Sequence, residues 1–189
     1  MFKALVSAAC GAAMLALAAA PANAQDALEA KLQACNACHG QNGQPIDKSM
    51  PIIWGQTVAY MTKQLHDFRG EDRQSPVMAP FANMIKPEEW RKVATYFNAK
   101  PWPAKQAAAG PAPATPPEEK IKVCRICHQP NFEGGLPAPR LAGQSYEYLV
   151  GAMKSFADDT RTNSADMQTL MKMLTAEERD AIAKYLSAL

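Results

Sequence analysis

The sequence predicts an all-α protein made of two tandem small helical domains joined by a Pro/Ala-rich linker. Three observations carry this. Apolar residues recur at helical spacing while strand signals stay weak, an ordered internal repeat runs through the chain, and a proline-dense segment separates its two copies.

Residues 1–24 read as a secretory signal peptide. One early lysine, Lys3, precedes an Ala/Leu-rich apolar run that ends in Ala22-Asn23-Ala24, an A-x-A cleavage site. The run is short for a membrane span, which takes roughly 20 apolar residues. Cleavage and export to the periplasm are therefore expected. No later segment is apolar for long enough to predict stable membrane insertion.

Residues 25–100 form the first predicted domain. DALEAKLQAC leads as a helix into a C-x-x-C-H motif. GQTVAYMTKQLHDFRG reads as a second helix, and KPEEWRKVATYFNA as a third, with Pro87 in its first turn and glutamates behind it. Residues 101–119 hold six prolines with Ala-rich spacing, an extended and semi-rigid linker. Residues 120–189 form the second domain. Its last helix opens with Thr175 as N-cap and Glu178 three residues on, a capping box.

The two copies align in order. Cys35-x-x-Cys38-His39 matches Cys124-x-x-Cys127-His128. PIIWGQ from Pro51 matches PRLAGQ from Pro139, and Tyr60, Phe68 and Arg73 match Tyr148, Phe156 and Arg161. Met78 and Tyr96 match Met167 and Tyr185. Each copy is small enough that a hydrophobic core alone is marginal without a staple or a metal.

Charge excludes one class of function. The chain has 20 basic and 18 acidic residues, and signal cleavage removes only Lys3 from the count. A nearly neutral chain lacks the basic face that nucleic acid requires.

Four of the five cysteines lie in the two C-x-x-C-H motifs; the fifth, Cys10, leaves with the signal peptide. An exported chain could oxidise the four to disulfides. A zinc ribbon would place its pairs roughly 15–20 residues apart, and a thioredoxin-like pair would sit near a βαβ pattern; neither fits. C-x-x-C-H is the attachment signature of c-type haem. Two thiols one helical turn apart can add to the two vinyl groups, and the next residue then lies under the iron. Cys35, Cys38, Cys124 and Cys127 are thus the expected attachment points, with His39 and His128 as proximal ligands of two covalently bound haem c groups.

The remaining histidine, His66, has Lys154 as its repeat partner and reads as a surface residue. The sixth ligand then falls to methionine. Met78 and Met167 occupy matching positions, expected in loops before the last helix. Met84, Met171 and Met173 are nearby rivals, while Met61 and Met153 read as apolar helix filling.

On these motifs the chain resembles class I cytochromes c and, as a tandem pair, the dihaem cytochrome c4 family. The resemblance rests on both C-x-x-C-H motifs, the P-x-x-x-G-Q segments, the M-x-x-x-A-x-x-[IL] segments from Met78 and Met167, and the terminal helices with Tyr96 and Tyr185. Met171 departs from the pattern, standing where it has alanine. The resemblance implies that the Pro51 and Pro139 carbonyls accept hydrogen bonds from His39 and His128. It also implies domains packed with their haem edges facing.

Two closed His/Met irons predict outer-sphere carriage of single electrons rather than catalysis. The expected partners are redox proteins, with a respiratory-chain donor and a membrane oxidase or reductase as acceptor. A different class is a subunit of a periplasmic dehydrogenase, such as the dihaem subunit of flavocytochrome c sulfide dehydrogenase. A dihaem peroxidase would need an open iron. Trp90 reads as packing its helix against the core and Trp102 as clamping a domain boundary; neither they nor Trp54 are expected to relay electrons.

Overall fold

The computed structural model describes residues 24–103, 116 and 118–189. The signal peptide and most of the linker expected from the sequence lie outside these residues. Eight helices are described, with no strand among them: α1 (Ala24–His39), α2 (Val58–Arg69), α3 (Met78–Met84), α4 (Pro87–Asn98), α5 (Glu118–His128), α6 (Tyr146–Ala157), α7 (Ala165–Lys172) and α8 (Ala176–Ala188). Helices α1, α2 and α4, with Ile85 just after α3, share one core, and α5–α8 another, as the repeat requires.

The cores are built from equivalent positions. Leu32, Met61, Leu65, Val93, Ala94 and Phe97 are buried in the first. Ile121, Leu149, Met153, Ile182, Ala183 and Leu186 take their places in the second. Met61 and Met153 are core residues, as their helical spacing predicts. Trp90 packs against the first core and donates from its indole to the Ile85 carbonyl at 3.2 Å.

One exchange keeps volume constant where the sequences differ. In the first repeat Gly43 has φ +80°, and a Cβ there would come 2.9 Å from the Trp54 ring. In the second repeat the corresponding residues are Phe132 and Ala142. Phe132 also has positive φ, 57°, and is fully buried beside Ala142. The large side chain has moved from one side of the contact to the other, as close packing demands.

Helix ends follow their local chemistry. Thr175 accepts from the Glu178 amide at 3.2 Å while the Glu178 carboxylate accepts from the Thr175 amide at 2.9 Å. Pro87 opens α4, where its missing N–H costs no intrahelical bond. The loops expected around Met78 and Met167 are instead the first turns of α3 and α7. Serine makes the difference: Ser75 Oγ accepts from the Met78 amide at 3.1 Å, and Ser164 Oγ from the Met167 amide at 3.4 Å. The hydroxyl satisfies an amide that a helix start leaves unpaired. Pro80 is tolerated because it lies in the first turn of α3.

The two repeats meet through reciprocal contacts. Gln144 Oε1 accepts from the Ile52 amide at 2.8 Å, and its Nε2 donates to the Ile52 carbonyl at 3.0 Å. Gln56 does the same to Arg140, at 2.7 Å and 3.1 Å. Trp102 lies against both domains. A Cβ on Gly55 would meet its backbone nitrogen at 3.1 Å, and one on Gly143 its Nε1 at 3.0 Å. Arg140 covers its ring at 4.7 Å. Trp102 is the boundary clamp expected from the sequence.

Candidate haem sites

Each C-x-x-C-H motif occupies the C-terminal end of a helix, α1 or α5. All four cysteines are free thiols, half-buried except for the exposed Cys127. Burial pushes the Cys35 thiol up to about 11 and raises that of Cys124. Without a disulfide, the four sulfurs are available for thioether bonds.

Both histidines are buried. His39 Nδ1 lies 2.8 Å from the Pro51 carbonyl, and His128 Nδ1 lies 2.8 Å from the Pro139 carbonyl. A carbonyl can only accept, so Nδ1 carries the proton in each ring. Burial lowers the pKa of both imidazoles, against a smaller opposite effect of the proline bonds. The result is a neutral ring with its Nε2 lone pair unengaged by the proline bond, the form a metal takes.

Met78 and Met167 are half-buried at matching places on α3 and α7. The rivals separate by environment. Met84 and Met173 are exposed, at 50% and 73%, whereas Met171 is 3% exposed within the second core. Met171 fills the place of Ala82, so its departure from the family pattern is a packing substitution. His66 is exposed on α2 and stands edge-on to Trp90.

The sequence reading assigned no task to Tyr60, Gln64, Arg73, Tyr148, Arg161 and Asn163. These residues form a network between the repeats. Arg73 donates to Gln64 Oε1 at 2.6 Å and to the Tyr148 hydroxyl at 3.3 Å. Arg161, which is buried, donates to the same Gln64 oxygen at 3.0 Å and to the Tyr60 hydroxyl at 3.3 Å. Each guanidinium also covers a phenylalanine, Phe68 or Phe156. Among the described residues neither arginine pairs with a carboxylate; buried Asp67 is taken by Lys63 and Asn163. Burial works against ionisation of Tyr148, yet the charges of Arg73 and Arg161 outweigh it and pull its hydroxyl below the usual tyrosine range.

The donor set fits haem c. Two thiols and an imidazole with its outer nitrogen fixed stand at each helix end. Two guanidiniums that converge on one oxygen, with no carboxylate of their own, suit the anionic propionates that haem carries.

Comparison with known proteins agrees. Residues 121–189 match the cytochrome c family profile. Cytochrome c4 of Pseudomonas aeruginosa is 30% identical over 173 residues, covering 85% of this chain and 86% of that protein. The chain belongs to the cytochrome c4 family. The thiosulfate dehydrogenase electron acceptor of Stutzerimonas stutzeri is 32% identical over 169 residues, covering 82% of this chain and 78% of that protein. The cytochrome c4 structure from Acidithiobacillus ferrooxidans superposes with a TM-score of 0.73 at 29% identity, covering 83% of this chain and 99% of that one. The fold is two tandem class I cytochrome c domains. The protein is a dihaem electron-carrier cytochrome with covalently bound haem c.

Proposed function

We propose that this cytochrome c4 carries single electrons in the periplasm between a respiratory-chain donor and a terminal oxidase or reductase. Cys35 and Cys38 hold one haem and Cys124 and Cys127 the other. His39 with Met78, and His128 with Met167, would hold the two irons. When bound, each haem supplies a one-electron Fe(III)/Fe(II) couple, and His/Met ligation favours its reduced form. The chain's own groups do the rest. The Pro51 and Pro139 carbonyls fix the imidazole tautomers, and the Met78 and Met167 side chains would supply the second protein ligand to each iron. Burial around His39 and His128 keeps water away.

The observation that carries this reading is the histidine–proline bond, present at the same length in both repeats. Two equivalent, closed sites suit storage and passage of electrons rather than binding of a substrate. No helix among the described residues is long and apolar enough to cross a membrane. The test is turnover by the acceptor. Membrane vesicles of the host should reoxidise the reduced holoprotein when oxygen or another terminal acceptor is supplied. Vesicles that leave it reduced with every acceptor contradict the proposed route.

A second reading concerns the donor. The similarity to a thiosulfate dehydrogenase electron acceptor favours a periplasmic dehydrogenase as the source of electrons. Reduction of the protein by such an enzyme with thiosulfate, at catalytic enzyme concentration, supports this donor. Stable co-purification would instead make the chain a permanent subunit.

A further inference from the structure

The two reciprocal glutamine contacts fall at a telling place. Pro51, whose carbonyl accepts from His39, is followed directly by Ile52. Both polar groups of the Ile52 backbone are held by Gln144, a residue of the other repeat. Pro139, whose carbonyl accepts from His128, is followed directly by Arg140. Its two backbone groups are held by Gln56 of the first repeat.

We infer that the proximal histidines are positioned crosswise: Gln144 of the second domain sets the acceptor for His39, and Gln56 of the first sets the acceptor for His128. This rests on the proposed roles of His39 and His128 as iron ligands. The proline carbonyl and the following amide belong to one planar peptide unit. A side chain that pins the Ile52 N–H therefore pins the Pro51 oxygen as well. Gln144 is 2% exposed and Gln56 3%, so neither glutamine is free to exchange these bonds for water. Each side chain is itself steadied, since its oxygen also accepts from the next amide, of Ser145 or Thr57, at 2.9 Å. Both glutamines are positioning residues: they touch no reacting atom and act through a peptide bond. Each domain's iron then responds to how the other domain is docked.

The test uses reduced holoprotein and the hydrogen-exchange rate of each proximal imidazole Nδ1–H, read by NMR. Net hydrogen-bond contributions of about 0.5–1.5 kcal/mol correspond to as much as roughly tenfold in an equilibrium. In Gln144→Ala, exchange at His39 should rise by up to about tenfold while His128 changes by less than about twofold. In Gln56→Ala the pattern should reverse. Gln144→Glu guards against loss of docking: it keeps the acceptor for the Ile52 amide, loses the donor to the Ile52 carbonyl, and should give an intermediate rise at His39 alone. The reduction potential of the same haem should move with the exchange rate. Equal effects on both histidines, an effect confined to the variant's own domain, or no effect would overturn the inference. A wild type lacking two haem-shifted imidazole Nδ1–H signals would remove the ligand assignment instead.

Discussion

Replacing Met78 with alanine removes the long-wavelength ferric iron–methionine absorption of one haem and leaves that of the other, so about half of the band survives. Met167→Ala does the same for the second haem, and the double variant loses the band altogether. The loss follows from the ligand inventory. Met84 and Met173 are exposed, Met171 is buried in the core, and His66 lies on the surface. Among the described residues, none of these rivals occupies the matching place on α3 or α7. Water or hydroxide is a harder ligand and favours Fe(III), so the potential of the altered haem falls, whereas its neighbour holds. Optical spectra of the oxidised variants, followed by a redox titration, check this. A single variant that keeps the full band would move the assignment to one of the rival methionines.

The second large effect is expected where the backbone leaves no room. Gly40 follows His39 with φ +93°, and a Cβ there would stand 2.0 Å from the backbone oxygen of Gln44. Gly40→Ala should therefore destabilise the first domain by about 3 kcal/mol or more, combining left-handed strain with a clash that no rotamer relieves. The second repeat places Gln129 at the same point with φ +70°. Gln129→Gly should relieve strain and stabilise the second domain by up to about 1 kcal/mol. Denaturant unfolding of the holoprotein, with each haem's absorption as a local probe, separates the two domains. A Gly40→Ala protein as stable as wild type would show that the turn after His39 can rearrange.

These turns illustrate what sequence can and cannot disclose. The repeated C-x-x-C-H motifs and the placing of Met61 and Met153 in the cores were legible, because each depends on local order along the chain. Helices α3 and α7 were not. They are short, and Pro76 just before α3 and Pro80 in its first turn leave no long periodic pattern to announce it. The Ser75 and Ser164 caps, three residues before the methionines, were the available signal.

Contacts between domains were the other omission. The repeat singled out Gln56, Tyr60 and Arg73 with their counterparts, but alignment of two copies says only that a residue recurs. It does not say that Gln56 reaches Arg140, or that Arg161 reaches Tyr60. Those pairings need the second domain in place. The same holds for the exchange of Gly43 and Trp54 for Phe132 and Ala142, whose compensation appears only across a packed contact.

The most direct measurement is a potentiometric titration of the wild-type holoprotein with optical detection. Two reversible one-electron steps per chain are expected, with the iron–methionine band bleaching across both, as the proposed histidine and methionine ligands of each iron require. A single electron per chain, or a step at an iron with no methionine band, would contradict a carrier built from two equivalent closed sites.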